Sequence, residues 1–227
     1  MALRFPKLRN ARPALLAALL AAVPLAAAAQ DDPAATPRQQ KKLPEAPGKL
    51  PKAERGRNLD FLFGALKAAP DEASAKHVEA RIWAVWMQTP SDTAALLMVR
   101  AKAAMDAQKY DVALKLLDAV VKLRPDYVEA WNRRATVYYL QSDYQRSLED
   151  IEQVLVREPR HFGALAGLGM IMQDLGDDKR ALDAFRKALA VNPYLDKLPE
   201  MVRTLTDRKS TRLNSSHNQR SRMPSSA

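Results

Sequence analysis

The chain has 227 residues, a formal net charge of +10 and no cysteine. The missing cysteines exclude disulfide scaffolds, thiol chemistry and cysteine metal sites. A positive surplus of this size points first to nucleic acid or an anionic membrane, but its distribution removes that reading. Residues 1–29 carry 4 basic and 0 acidic residues, 30–58 carry 7 and 4, and 207–227 carry 5 and 1, while 59–206 hold 20 basic against 21 acidic. The body is therefore near neutral, with no basic stripe interleaved with aromatics, and no nucleic-acid partner is expected. Its length, 59–206, is enough for one cored domain.

At the N-terminus Arg4, Lys7, Arg9 and Arg12 precede an uncharged Leu/Ala run over Ala14–Ala22, and Ala27, Ala28 and Ala29 follow. Basic, apolar, then small is the order of a secretory signal peptide, with cleavage expected after Ala29. The apolar run is short, Ala-rich and broken by Pro24, a poor match to about 30 Å of hydrocarbon. No cysteine follows to carry a lipid. The expected location is the periplasm, or secretion, with no membrane insertion after cleavage. Residues 30–58 are dominated by Pro, Lys and Glu and almost lack large apolar residues. Such a segment cannot bury enough surface to offset its ordering entropy, which predicts a disordered tether.

Helical patterning starts at Leu59. LDFLFGALKAA reads as a short amphipathic helix, Pro70-Asp71-Glu72 opens a second, and Pro90 closes it after ARIWAVWMQ. Phe61, Phe63, Ile82, Trp83 and Trp86 supply bulk. Residues 59–93 are expected to form a degenerate hairpin that caps the N-terminal end of the stack that follows. Trp83 and Trp86 read first as packing residues and secondly as an exposed hot spot.

A repeat then becomes explicit. Pro125, Pro159 and Pro193 are 34 residues apart, as are Tyr110 and Tyr144. The frame gives repeats 94–127, 128–161 and 162–195. Position 8 holds Ala101, Ala135 and Gly169; position 20 holds Ala113, Ser147 and Ala181; position 24 holds Leu117, Ile151 and Phe185; position 27 holds Val120, Val154 and Ala188. Small residues at 8 and 20 let two helices approach, the large residue at 24 fills the gap between them, and proline turns the chain after the second helix. Leu198, Met201, Val202 and Leu205 form the apolar stripe of a capping helix over 196–206.

Residues 207–227 are expected to be an unfolded tail. Asp207–His217 reads DRKSTRLNSSH and Ser221–Ala227 reads SRMPSSA. Both blocks resemble the translation of a widely used sequencing-adapter DNA in one frame, so the capping helix is expected to be truncated near residue 206 and the true C-terminal sequence to be missing.

The repeat resembles the tetratricopeptide repeat, whose signature runs W-x2-L-G-x2-Y, A-x3-F-x2-A and P. The third repeat carries Leu168-Gly169, Ala181, Phe185, Ala188 and Pro193; the second carries Trp131 and Tyr138 but has Arg134, Ser147 and Ile151 at the L, A and F positions; the first lacks the W, L and Y. The resemblance covers 94–195. It implies an all-α fold, a right-handed α-solenoid of stacked antiparallel helix hairpins, and a peptide-binding groove lined by the first helix of each repeat. Positions 2, 5, 9 and 12 of those helices then become candidate contacts: Met98, Lys102 and Met105; Glu129, Asn132, Thr136 and Tyr139; Ala166, Met170 and Gln173. Methionine repacks around varied ligands, and Asn132 and Gln173 could pair with a peptide backbone. Lys102 and Arg133 alone do not complete the carboxylate clamp of some members. Arg133 and Arg134 are expected instead to pair with carboxylates of neighbouring helices.

No catalytic, metal or cofactor site is expected. His77 and His161 lie in different hairpins, and His161 reads as a surface residue at a helix start. Glu149, Asp150 and Glu152 read as a solvated acidic face. No phosphate loop or nucleophile motif is present. The leading expectation is an exported scaffold that binds a peptide or helix of a partner protein. A self-assembling structural protein of the cell envelope is the alternative, with the oligomeric state left open.

Overall fold

A computed structural model describes residues 52–89 and 91–208. The expected signal peptide over 1–29, residues 30–51 of the expected tether, Pro90 and the residues beyond 208 lie outside the described residues. Within them there are nine helices and no strand: α1 (Lys52–Lys67), α2 (Glu72–Trp86), α3 (Asp92–Asp106), α4 (Tyr110–Leu123), α5 (Val128–Leu140), α6 (Tyr144–Arg157), α7 (Phe162–Asp174), α8 (Asp178–Val191) and α9 (198–208). Two boundaries differ from the sequence reading. Helix α1 begins at Lys52, inside the expected tether, and α9 runs on through Asp207 and Arg208, inside the expected tail. In α1, Leu59, Leu62, Phe63 and Leu66 are buried, so the segment before them is carried into a helix already anchored on its apolar side.

Helices α3–α4, α5–α6 and α7–α8 form three successive hairpins with the same turn. Gln108, Ser142 and Gly176, each 34 residues from the next, adopt φ of 56°, 60° and 78°. Around them Lys109, Asp143 and Asp177 donate their N–H back to Ala104, Tyr138 and Met172 carbonyls at 2.8, 2.9 and 2.8 Å. A second bond, three residues in span, runs from the N–H of each left-handed residue to the Met105, Tyr139 and Gln173 carbonyls at 2.9, 2.8 and 3.0 Å. This paired arrangement closes a helix through one left-handed residue and satisfies its last carbonyls. Asp143 and Asp177 then cap α6 and α8 by accepting from Arg146 and Arg180 N–H, whereas Lys109 gives α4 no side-chain cap.

Inside each hairpin the small positions are buried against each other. Ala101 and Ala113, Ala135 and Ser147, and Gly169 and Ala181 all lie in the interior, with Leu117, Ile151 or Phe185 beside them. Ser147 donates its hydroxyl to the Ala135 carbonyl at 2.8 Å, so its polarity is satisfied where alanine would stand. Arg134, where the resemblance would place leucine, spans two hairpins. Its guanidinium donates twice to Asp150 at 2.8 Å and once to Asp118 at 2.7 Å, beside the Trp131 ring. Asp150 is therefore buried and paired, unlike the exposed Glu149 and Glu152, and the expected acidic face is corrected at that residue. Burial raises the Asp150 carboxyl above the usual range, while hydrogen bonding to Asp150 raises Arg134 and holds it charged.

The stack is continuous from α4 onto α5 and from α6 onto α7. Ala130 and Val137 lie in one core with Val120 and Val121, and Ala164 and Ile171 in another with Ile151 and Val154. At the C-terminal end Leu198 and Leu205 of α9 are buried in the latter core.

The first hairpin breaks the series. Helices α1 and α2 do not cap α3. Their buried residues, including Leu62, Leu66, Ile82 and Trp86, belong to the core of α7, α8 and α9, while the core around α3 and α4 contains none of them. Tyr194 donates to the Ala69 carbonyl at 3.0 Å, Asn192 donates to Glu79 at 2.9 Å, and Arg160 donates to Asp60 at 2.6 Å. At its end, Met87 offers its carbonyl to the Tyr127 hydroxyl at 2.8 Å. Going along α2, its contacts pass from the loop after α8, to the loop before α7, to the loop before α5. The hairpin therefore lies across the inter-repeat loops. The sequence pattern of α2 does not carry this placement, because an apolar stripe states that a face is covered and not by what.

Candidate protein-interaction face

The first helices α3, α5 and α7 carry the positions that a peptide would meet. Met98 and Met105 are almost fully buried in the core of the first hairpin. They fill space between helices, so both are corrected from groove contacts to core residues. Ala166 is likewise buried. Lys102 is exposed and donates to Asp106 one turn on, at 2.6 Å.

On α5 the four candidates differ in what holds them. Glu129 is buried and accepts from Asn132 at 3.1 Å and from Arg133 at 3.2 Å. Asn132 and Thr136 are half-buried, and the Thr136 hydroxyl donates to the Asn132 carbonyl at 3.0 Å. Tyr139 is half-buried and donates its hydroxyl to Asp174 at 2.8 Å. Tyr144 donates to the same oxygen at 3.1 Å, and the two rings sit 5.8 Å apart. Burial, reinforced by the Asp174 carboxylate, pushes the Tyr139 phenol well above its ordinary value, so it stays a neutral hydrogen-bond donor. On α7, Met170 and Gln173 are half-buried. The structure thus brings Asn132, Thr136, Tyr139, Met170 and Gln173 onto the adjoining helices α5 and α7 as a partly exposed face, with Lys102 on α3.

The part of this face nearest the inter-repeat loops is already occupied. The Trp83 ring stands 3.0 Å from where a Cβ on Gly163 would be, at position 2 of the third repeat. Trp86 lies on the His161 ring with centroids 4.0 Å apart and planes at 12°. His161 is completely buried, its Nδ1 accepting from the Ala164 N–H at 3.1 Å and its Nε2 lying 3.4 Å from Glu129. The acceptor role of Nδ1 leaves the ring proton on Nε2, facing the carboxylate. His161 is thus no surface residue. It shares position 34 with Tyr127 and Leu195, both buried, so the periodicity held a signal for it. Trp86 is also buried and Trp83 packs beside it, which removes an exposed tryptophan pair as a support for self-assembly.

Among the described residues no group of three His, Cys, Asp or Glu side chains is placed to hold a metal ion, and no helix is long and apolar enough to cross a membrane.

Known proteins match this arrangement. The family model described as tetratricopeptide repeat matches residues 98–150 and 141–196. A TPR repeat-containing protein of Rhizobium etli is 39% identical over 150 residues, covering 66% of this chain and 74% of that protein. Among solved structures, the first TPR of Spaghetti (RPAP3) bound to the HSP90 peptide SRMEEVD superposes with a TM-score of 0.51 at 16% identity, covering 54% of this chain and 97% of that one. The Sgt2 TPR domain of Aspergillus fumigatus gives a TM-score of 0.50 at 23% identity, over 61% of this chain and 90% of its own.

Proposed function

Since this chain belongs to the tetratricopeptide repeat family, we propose that it is an exported protein-binding scaffold whose ligand is a peptide or helix of a partner protein. The observation that carries the reading is the face shared by α5 and α7. Asn132, Thr136, Tyr139, Met170 and Gln173 remain partly exposed there, although the neighbouring positions are buried or covered. The chemistry is mixed: amide groups for a peptide backbone, a tyrosine ring whose hydroxyl is anchored on Asp174, and a thioether for an apolar side chain. The first TPR of Spaghetti, of like fold, is bound to a peptide, which supports this kind of ligand without specifying its sequence.

Export rests on the basic, apolar and small-residue order of residues 1–29. N-terminal sequencing of the protein recovered from the periplasm of a Gram-negative host is expected to start at Gln30. A full-length product in the cytoplasm would reject export. For binding, in-cell crosslinking from the α5–α7 face is expected to capture a protein partner that Tyr139→Ala together with Gln173→Ala releases. Equal capture by the double variant would place the contact elsewhere.

A further inference from the structure

Two places in the stack share one frame, a repeat apart, and only one of them holds a guanidinium. On α4, Leu114, Leu117, Asp118 and Val121 occupy positions 21, 24, 25 and 28 of the first repeat, and Arg134 of α5 occupies position 7 of the second. The Arg134 guanidinium donates to Asp118 at 2.7 Å and twice to Asp150 at 2.8 Å. Leu117 and Val121 are buried there.

One repeat on, the same positions are Leu148, Ile151, Glu152, Leu155 and, on α7, Leu168. With Val156 they line an open groove of about 370 Å³ between α6 and α7. The chain supplies no guanidinium here, because Leu168 stands in the place of Arg134 and Ala184 in the place of Asp150. Leu155 is only half-buried where Val121 is buried, and Val156 is 73% exposed. The Glu152 carboxylate is exposed and has no partner among the described residues. The groove thus keeps the apolar walls and the acidic rim of its filled counterpart and lacks the cation.

We propose that the α6–α7 groove is a docking site for an arginine side chain of a partner protein. The guanidinium pairs with Glu152, as that of Arg134 pairs with Asp118, and its methylene stem lies on Leu148, Leu155 and Leu168. Arginine suits the place better than lysine, because its planar head is less strongly hydrated and meets a carboxylate through a fork of donors. The site offers one carboxylate where Arg134 has two, since Ala184 replaces Asp150, so the contact is weaker and reversible. Leu168 stands about 160° around α7 from Met170. The groove is therefore separate from the α5–α7 face, and the inference stands whether or not that face binds a peptide.

The probe is the end-capped peptide Leu-Leu-Arg-Leu, titrated into the full chain and followed by the backbone amide signals in NMR. Signals of residues 148–156 and 168 are expected to shift and saturate. Replacing the peptide's arginine by citrulline, its neutral isostere, is expected to weaken binding by about fivefold, the upper end for an exposed charge pair. Glu152→Gln should weaken the arginine peptide by the same factor and leave the citrulline peptide unaffected. Leu168→Arg supplies the guanidinium from within, as Arg134 does, and should abolish the shifts. Equal affinity for the two peptides, or an unaltered response in Glu152→Gln, would overturn the proposal. Shifts centred on Tyr139, Met170 and Gln173 would assign the peptide to the α5–α7 face and overturn it too, as would the absence of any saturable shift in the parent. Should Leu168→Arg fail to fold, Glu152→Gln, a substitution at an exposed position, decides alone.

Discussion

The Trp86 indole lies flat on the His161 imidazole, with the centroids 4.0 Å apart and the planes at 12°. The contact joins two residues 75 positions apart in sequence and is the centre of the packing between the first hairpin and the third repeat. Both rings are buried, and Phe162 lies 5.0 Å from Trp86. Trp86→Ala is expected to lower unfolding stability by about 3–5 kcal/mol, measured by urea denaturation. A loss under about 1 kcal/mol would show that the hairpin adds little to the stability of the repeats.

Gly169 and Phe185 set the closest approach within the third hairpin. A Cβ on Gly169 would stand 2.3 Å from two carbons of the Phe185 ring, so the ring or the helix must move. Gly169→Ala is therefore expected to destabilise by about 1–3 kcal/mol, despite the better helix propensity of alanine. Phe185→Leu should cost less in the Gly169→Ala background than in the parent. A double-mutant cycle measures that coupling.

The left-handed turn residues are chemically unequal. Gly176 takes φ of 78° at no steric expense, but Gln108 and Ser142 take 56° and 60° with a Cβ. Ser142→Gly is expected to raise stability by up to about 1 kcal/mol, and Gly176→Ala to lower it by about 1–2 kcal/mol. Thermal melts of both variants check the opposite signs.

The Arg134–Asp150 pair is mostly buried, with side-chain exposures of 16% and 4%. Arg134→Ala strands a buried carboxylate and is expected to cost about 3–5 kcal/mol. Arg134→Leu with Asp150→Leu, which restores the family's leucine at that position, is expected to fall near the parent. A double variant as damaged as Arg134→Ala would show that the pair does more than satisfy itself.

Three helix caps give the fold an acid limit. Hydrogen bonding to Ser74, Arg146 and Arg180 holds Asp71, Asp143 and Asp177 below the ordinary carboxyl value of 3.8. A carboxyl depressed in the folded state adds stability that is complete above its unfolded value and lost as pH falls through the folded one. The melting temperature is therefore expected to fall below about pH 4 through these groups. In Asp177→Asn, which keeps a capping oxygen but cannot titrate, the fall should be shallower.

Some of this molecule was legible one residue at a time. The 34-residue proline spacing, with small residues at positions 8 and 20, specified three hairpins because each position repeats the same local packing problem. Arg134 was legible as an ion-pair partner, since a guanidinium at an apolar position must find carboxylates. The candidate face was only half legible. Positions 5 and 12 of a first helix face a ligand only if the side chains there do not fold into the helix interface, and Met98 and Met105 are long and flexible enough to do so. His161 was misread because its type outweighed its periodic place beside Tyr127 and Leu195.

What the sequence alone determined is the repeat, its turns and the all-helical solenoid, because these depend on contacts between residues fewer than 34 positions apart and recur three times. Where the first hairpin goes was decided only in three dimensions. The apolar stripe of α2 fits any complementary surface, whether α3 next to it or the loops around His161 far along the chain. The choice depended on a stacked ring, three inter-repeat loops and a glycine at 163, none of which is visible in the local pattern of α2 itself.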